Sequence, residues 1–361
     1  MSWAFDSREA RIRRLTEAAA KIADPEQQLG RRARELLTAT TGLSAEGVDY
    51  ALRHCLETHP SEAEIRALCE SVPSAPRAHV LLSANVFVAA LRAIALAIAA
   101  APLVEVRVSR REPHMAALLH QGAPGLFRLV EELAPLPSDH VWAYGRDATI
   151  AALRGDLPAG IVLHAHGDGV GVVVVAPEGD LPEALSEVRG LAHPLALDVV
   201  AFDQRGCLSP RIVAVQGSAE LTEELGRSLA RELALLEHDI PRGEMSTEEL
   251  GDQTWYCETM TYVAELLPAG RGAVGIDLHP GRVLLPPAGR VLHVLRVDDL
   301  AWFQRALGDV VTAVGVGGSE RTWNEVCELW PRARHSPVGQ MQSPRLDGPV
   351  DRRPDPAGEV L

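Results

Sequence analysis

The residue types best suited to chemistry sit together in one short run, Phe202-Asp203-Gln204-Arg205-Gly206-Cys207-Leu208-Ser209-Pro210. A thiol placed directly after a glycine can meet a substrate, because glycine lets another molecule approach the backbone closely. Arg205, two residues earlier, can lower the thiol pKa and favour the nucleophilic thiolate. The duller reading is a small buried hydrophobe, the usual fate of a lone cysteine. An apolar run from Ile212 to Val215 follows, and then a helical stretch over 219–237. These two packed elements would hold the thiol in place. Cys257 and Cys327 lie in helical patterns and read as packing residues.

The other candidates are histidines. His164 and His166 alternate along an apolar run and therefore share one face of a strand. Such a pair could ligate a metal only with a third ligand, and none is visible, so no metal is assigned. An imidazole with a pKa near neutrality suits proton transfer instead.

The chain has 361 residues, enough for more than one domain. Its net charge of −14 argues against a nucleic-acid partner, which needs a basic face. Aromatic residues make up only 4%, so the core is built from Ala, Leu and Val. The five cysteines are scattered and lack CxxC spacing, which disfavours a disulfide framework or a zinc knuckle. Residues 1–36 carry too many charges for a signal peptide. The most apolar stretch, 86–103, contains Arg92 and reads as a buried helix rather than a membrane span. A cytoplasmic protein without membrane insertion is expected.

Three and four residue spacing of apolar positions predicts helix over 7–39, continued over 44–59 and 61–71, where Ser61 and Glu64 form a capping box. From residue 79 the texture becomes strand, turn, helix and strand, with strands expected at 79–82, 103–108, 141–144 and 160–164. That alternation predicts an α/β fold with a doubly wound parallel sheet, whose ligands gather at the carboxyl ends of its strands. A Gly-x-Gly-x-x-Gly fingerprint is absent. Further strands are expected at 291–297 and 310–316, a polar region at 242–254, and a mobile tail in the last dozen residues.

Taken in order from about His79 to Asp351, these landmarks resemble the aldehyde dehydrogenase superfamily, and within it the acyl-CoA reductase branch that supplies aldehyde for bacterial bioluminescence. His79-Val80-Leu81-Leu82-Ser83-Ala84-Asn85-Val86 is similar to the strand and turn bearing the family's oxyanion asparagine. Val106-Arg107-Val108-Ser109-Arg110-Arg111-Glu112-Pro113 resembles its second cofactor strand, and Tyr144-Gly145-Arg146 its turn beside the cofactor. Leu163-His164-Ala165-His166-Gly167 falls where hydrolytic members carry Glu-Leu-Gly-Gly, and Gln204-Arg205-Gly206-Cys207 falls at the nucleophile. The segment Gly339-Gln340-Met341-Gln342-Ser343-Pro344, with Asp347-Gly348, resembles the closing segment of the reductase branch.

The resemblance implies Cys207 as nucleophile, Asn85 and the Cys207 backbone N–H as oxyanion donors, and His164 as a proton-handling group. It implies Ser83, Arg107, Ser109, Arg110, Gly145, Arg146 and Gly167 as residues about the cofactor. His164 in place of the water-activating glutamate favours the CoA-linked branch over hydrolysis. Arg110 stands where an acidic residue would bond the ribose 2′-hydroxyl, and a guanidinium suits a 2′-phosphate, so NADPH is expected, with NADH the other option. Arg205 would favour the thiolate or anchor a phosphate of CoA. Read without the resemblance, Asn85 is a turn residue capping a helix, and Arg107 and Arg110 are solvated charges. Leu285-Pro286-Pro287-Ala288-Gly289 lacks the glutamate that usually holds the nicotinamide ribose.

The expected architecture is an aldehyde-dehydrogenase-like α/β protein in four parts. These are a helical segment 1–74, a dinucleotide-binding domain 75–185, a catalytic domain 186–325 and a closing segment 326–361. The expected reaction is NADPH-dependent reduction of a fatty acyl-CoA to an aldehyde through an acyl-cysteine. Alternatives are an acylating aldehyde dehydrogenase for short or pathway-specific acyl-CoA, and a catalytically silent relative acting as a binding subunit. The expected partners are the acyl-CoA substrate and either further copies of the chain or an acyl-activating or acyl-transferring enzyme.

Overall fold

A computed structural model describes residues 7–361; the first six residues of the expected helical segment lie outside it. Two compact units emerge. The first holds the described residues through Thr41, Ala51–Asp168 and Ser343–Leu361, and the second holds Gly42–Tyr50 and Gly169–Gln342.

The first unit is built on a parallel sheet of β1 (Arg77–Leu81), β2 (Leu103–Arg107), β3 (Arg128–Leu129), β4 (His140–Tyr144) and β5 (Val162–His166). Their order across the sheet is β3-β2-β1-β4-β5, with direct pairing of β1 to both β2 and β4. This is the doubly wound order, and the connections reverse direction between β1 and β4. Helix Ala89–Ala100 joins β1 to β2 and is buried on all sides except at Ala89. Its alanines allow close approach of the helix Arg8–Ala23 and of β1. The expected single run over 7–39 is two helices, Arg8–Ala23 and Gln28–Thr41, because the chain turns at Asp24-Pro25. The Ser61–Glu64 capping box is present.

The second unit contains β6 (Val170–Ala176), β7 (Pro210–Gln216), β8 (Glu265–Ala269), β9 (Gly272–Asp277), β10 (Val291–Val297), β11 (Val311–Gly318) and β12 (Arg334–Pro337). They lie in the order β12-β11-β6-β7-β10-β9-β8, parallel except for the β8–β9 hairpin. Near-continuous apolar strands such as Val172–Val175 are covered on both faces. Val173, Val175, Val213 and Val215 pack with the helices Leu181–Val200 and Ala219–Asp239, and Val172, Val174, Ile212 and Ala214 with Phe303 and Trp330.

Three expectations are corrected. The boundary expected at 185 lies near 168, because β6 pairs with β7 and β11 and so belongs to the second sheet. The polar region 242–254 contains the start of a helix, Thr247–Val263, opened by a capping box of Ser246 and Glu249. The tail is not free of structure. Glu359–Val360 pairs antiparallel with β5, and Arg154 holds the Glu359 carboxylate. Among the described residues no helix is long and apolar enough to cross a membrane.

Candidate active site

In the first unit the proposed cofactor residues collect at one edge. Ser83 and Asn85 follow β1, Ser109 and Arg110 follow Arg107 at the end of β2, Gly145 and Arg146 follow β4, and Gly167 follows β5. These are the carboxyl ends of four adjacent strands, centred where the sheet reverses direction. Arg110 and Arg146 are exposed and Arg107 is half-buried, so guanidinium groups line this edge. Asn85 is exposed on the loop before helix Ala89–Ala100, whose N-cap, Val88, has no side-chain cap bond. The capping role read from sequence is therefore not one that Asn85 fills.

The turn after β5 is tightly determined. Asp168 N–H donates to Asp147 Oδ1 at 2.9 Å, and Asp147 N–H donates to Asp168 Oδ2 at 3.2 Å. A Cβ at Gly167 would lie 2.0 Å from Asp147 Oδ1, so any larger residue there would displace the Asp147 carboxylate. The β4 and β5 turns are thus fastened to each other.

His164 lies apart from this edge. It is 4% exposed, its Nε2 is 2.9 Å from Nδ1 of His140, and its ring stacks on Trp142 with centroids 4.2 Å apart. Burial, then the neighbouring His140 and His166, pushes its pKa down to about 3. His166 stacks on Tyr144, and burial pushes its pKa down to about 4. Bases so weak are poor proton acceptors near neutral pH, so the proton-handling role expected of His164 does not suit this geometry.

These shifts have a consequence for stability. Both histidines have folded pKa values below the ordinary 6.5, so the unfolded chain binds more protons once the pH falls below that value. The stabilisation is complete above about pH 6.5 and is lost progressively down to about pH 3, the lower of the two folded values. With two groups, the slope in that window approaches about 2.7 kcal/mol per pH unit. Hydrogen-exchange opening energies of the β4 and β5 amides should fall between about pH 6.5 and 5. A flat profile there would contradict the buried neutral pair.

In the second unit, Cys207 is half-buried in a short loop at the amino end of β7. The loop is closed by Ser209 N–H donating to Gly206 O at 3.1 Å. The three residues Phe202, Asp203 and Gln204 just before it all have left-handed backbone, at φ 53°, 50° and 62°. None is glycine, and such backbone costs about 1–2 kcal/mol per residue. It persists only where surrounding contacts over-determine it.

Those contacts are present. The Asp203 carboxylate, 2% exposed, receives Arg290 Nε at 2.9 Å and Nη2 at 2.8 Å on one oxygen and Gly243 N–H at 3.0 Å on the other. Its carbonyl receives Gly289 N–H at 2.9 Å. Gln204 is fully buried, accepts Val291 N–H at 2.6 Å, and donates to Pro210 O at 2.8 Å and Val291 O at 2.9 Å. Arg290 is itself 1% exposed and also donates to Ile240 O. Arg205 is held by Glu249 and the Glu244 carbonyl. The loop 285–289, singled out for its missing glutamate, touches this run through Gly289 and through Pro286 O, which accepts from Arg211.

The closing segment adds a second support. Asp198, on helix Leu181–Val200, accepts backbone N–H groups from Gly339, Met341 and Gln342. The Gln342 amide lies 3.5 Å from the Ser209 hydroxyl, two residues beyond the thiol. Asp198 and Arg290 were not singled out in the sequence, and Asp203 and Gln204 entered only as neighbours of Cys207 without a role of their own.

Among the described residues no cluster of three or more His, Cys, Asp or Glu could hold a metal ion.

Residues 128–271 match the family model described as acyl-CoA reductase (LuxC). That span contains Cys207, Arg146, His164 and Gly167 but not Asn85. Comparison with curated protein sequences gave no match. Among solved structures, the chain is similar to an NAD-dependent benzaldehyde dehydrogenase from Corynebacterium glutamicum, at 13% identity and TM-score 0.64, covering 92% of this chain and 79% of that one. It is also similar to an oxidoreductase from Marinobacter aquaeolei, at 12% identity and TM-score 0.64, with 96% and 84% covered. A third is a propionaldehyde dehydrogenase from a Clostridium phytofermentans fucose-utilisation microcompartment, at 11% identity and TM-score 0.59, with 93% and 85% covered. At such identities the likeness is one of fold.

Proposed function

We propose that this chain, whose residues 128–271 match the acyl-CoA reductase (LuxC) family model on an aldehyde-dehydrogenase-like fold, reduces a fatty acyl-CoA to the aldehyde through an acyl group on Cys207, with NADPH as reductant. The observation that carries this reading is the half-buried Cys207 thiol in a loop over-determined by buried hydrogen bonds, inside the matched residues. Structural cysteines do not require three strained residues beside them.

Cys207 as thiolate attacks the thioester carbonyl, and the tetrahedral oxyanion collapses with departure of CoA as its thiolate. The Cys207 backbone N–H is the proposed donor to that oxyanion. One such donor is typically worth about 10²–10³ in rate. The carboxyl edge of the first sheet fits a nicotinamide dinucleotide, because its turns carry Gly145 and Gly167 and Arg107, Arg110 and Arg146 offer cationic donors. Exposed Arg110 matches a 2′-phosphate, which favours NADPH over NADH. Ser83 and Ser109 would complete that binding edge. A nicotinamide held there would supply the hydride that reduces the acyl group. Cys207 is then the leaving group that frees the aldehyde, and a thiolate leaves readily.

The test is the intact mass of the purified protein after mixing with a long-chain acyl-CoA. An increment of one acyl group, discharged by NADPH with release of aldehyde, is the expected result. An adduct that NADPH and NADH both leave in place would mean acyl transfer without reduction. No adduct from acyl-CoA of any length would sink the reading in favour of a silent binding subunit.

A further inference from the structure

We infer that Gln204 and the Asp203–Arg290 pair are positioning residues that set the reactivity of Cys207; this rests on the reading of Cys207 as nucleophile. Gln204 spans the whole loop. It stands before Cys207, and its amide holds the carbonyl of Pro210 on the far side while clasping both backbone groups of Val291 on β10. The thiol therefore sits on a loop whose two ends are tied to one side chain and to the central part of the sheet. Asp203 fixes the approach to that loop. Its carboxylate is shared between Arg290 and Gly243 N–H, and Arg290 is anchored in turn to Glu237 and to Ile240 O.

Every polar atom of this pair of side chains that could hold the loop has a partner, and none of the partners is a substrate-like group. The arrangement is consequently one of support, acting on Cys207 through the backbone. What it delivers is a fixed direction for the Cys207 N–H and Sγ. A displacement of about 1 Å at a reacting atom can cost 10²-fold in rate. Hydrogen bonds and dipoles that stabilise the charged form lower a thiol pKa only while they remain aligned.

Two variants separate this from a plain packing role. Gln204→Leu keeps the volume and removes the three bonds, and Arg290→Lys keeps the charge and loses the paired contact with Asp203. Labelling of Cys207 by iodoacetamide, read on its own peptide by mass spectrometry across pH, needs neither substrate nor cofactor. We expect the labelling rate at neutral pH to fall about tenfold and its pH midpoint to rise by about one unit in Gln204→Leu, with a smaller change in the same direction in Arg290→Lys. In acyl-CoA turnover kcat should fall about 10²-fold while KM stays within about threefold, since ground-state binding is untouched. Wild-type labelling rate and midpoint in either folded variant would overturn the inference. If Gln204→Leu does not fold, the Arg290→Lys labelling profile decides alone. Wild-type protein that labels at Cys207 but turns over no acyl-CoA would refute the proposed reaction and leave the labelling comparison to judge this inference separately.

Discussion

Cys207→Ala should lower acyl-CoA reduction by about 10⁴-fold or more, because no other group on the loop can form and release the thioester intermediate. The substitution removes one sulfur from a half-buried position, so folding should be little affected. Cofactor affinity, read by nicotinamide fluorescence, should also be unchanged, because the proposed binding edge lies on β1, β2, β4 and β5. The other thiols cannot substitute. Burial raises the pKa of Cys69, Cys257 and Cys327, which leaves them protonated and poorly nucleophilic, and Cys55 is buried out of reach of a substrate. Turnover, thermal melting and cofactor titration on the one variant form a complete test. Residual activity within tenfold of wild type would transfer the role to another group.

Arg92→Met should cost the first unit about 3–5 kcal/mol, the usual penalty for breaking a buried ion pair by removing one partner. Arg92 is 3% exposed in the apolar helix Ala89–Ala100. Its Nε and Nη2 hold Glu57 Oε1 at 3.0 and 2.7 Å, and it also donates to the carbonyls of Pro344, Arg345 and Gly348. Methionine fills similar volume but strands a buried carboxylate and three carbonyls. The double variant Arg92→Met with Glu57→Leu should recover part of the loss, because the uncompensated charge is gone. Urea unfolding of the two variants measures both quantities. Equal stability of wild type and Arg92→Met would mean that the pair contributes nothing net.

The sequence was informative where one side chain or one period decided the outcome. Apolar runs such as Val172–Val175 marked buried strands, and Ser61 with Glu64 marked a helix start. Arg92 showed that the most apolar stretch is not a membrane span, but nothing local revealed its partners some 250 residues onward. The candidate cofactor edge was legible because turn residues follow strands in order. The support of Cys207 was not. Phe202, Asp203 and Gln204 contain no glycine to signal left-handed backbone, and their conformation is imposed by Arg290 and Val291, 87 residues away. Cys257 was read in a helical pattern, but the start of its helix, Thr247–Val263, was missed because the exposed faces are polar and carry Trp255 and Tyr262 outside the core. His164 looked chemical from its neighbours in sequence, and its burial against His140 and Trp142 depends on a strand 24 residues earlier.

The interrupted course of the chain through its two units also dictates an order of events during synthesis. The seven strands of the second sheet, β6 to β12, emerge without interruption, whereas the first sheet, begun earlier, must wait for Ser343–Leu361 to finish it. Arg92 leaves the ribosome 256 residues before the Gly348 carbonyl that it binds. At about 5–20 residues per second, that interval is roughly 13–50 s. Throughout it the Arg92 guanidinium lacks its backbone acceptors, and from its own emergence β5 presents an edge that Glu359–Val360 has yet to pair. The element started first is therefore completed last, and nascent chains stalled before residue 343 would carry a complete second sheet and an unfinished first one, the state most exposed to chaperones and to aggregation.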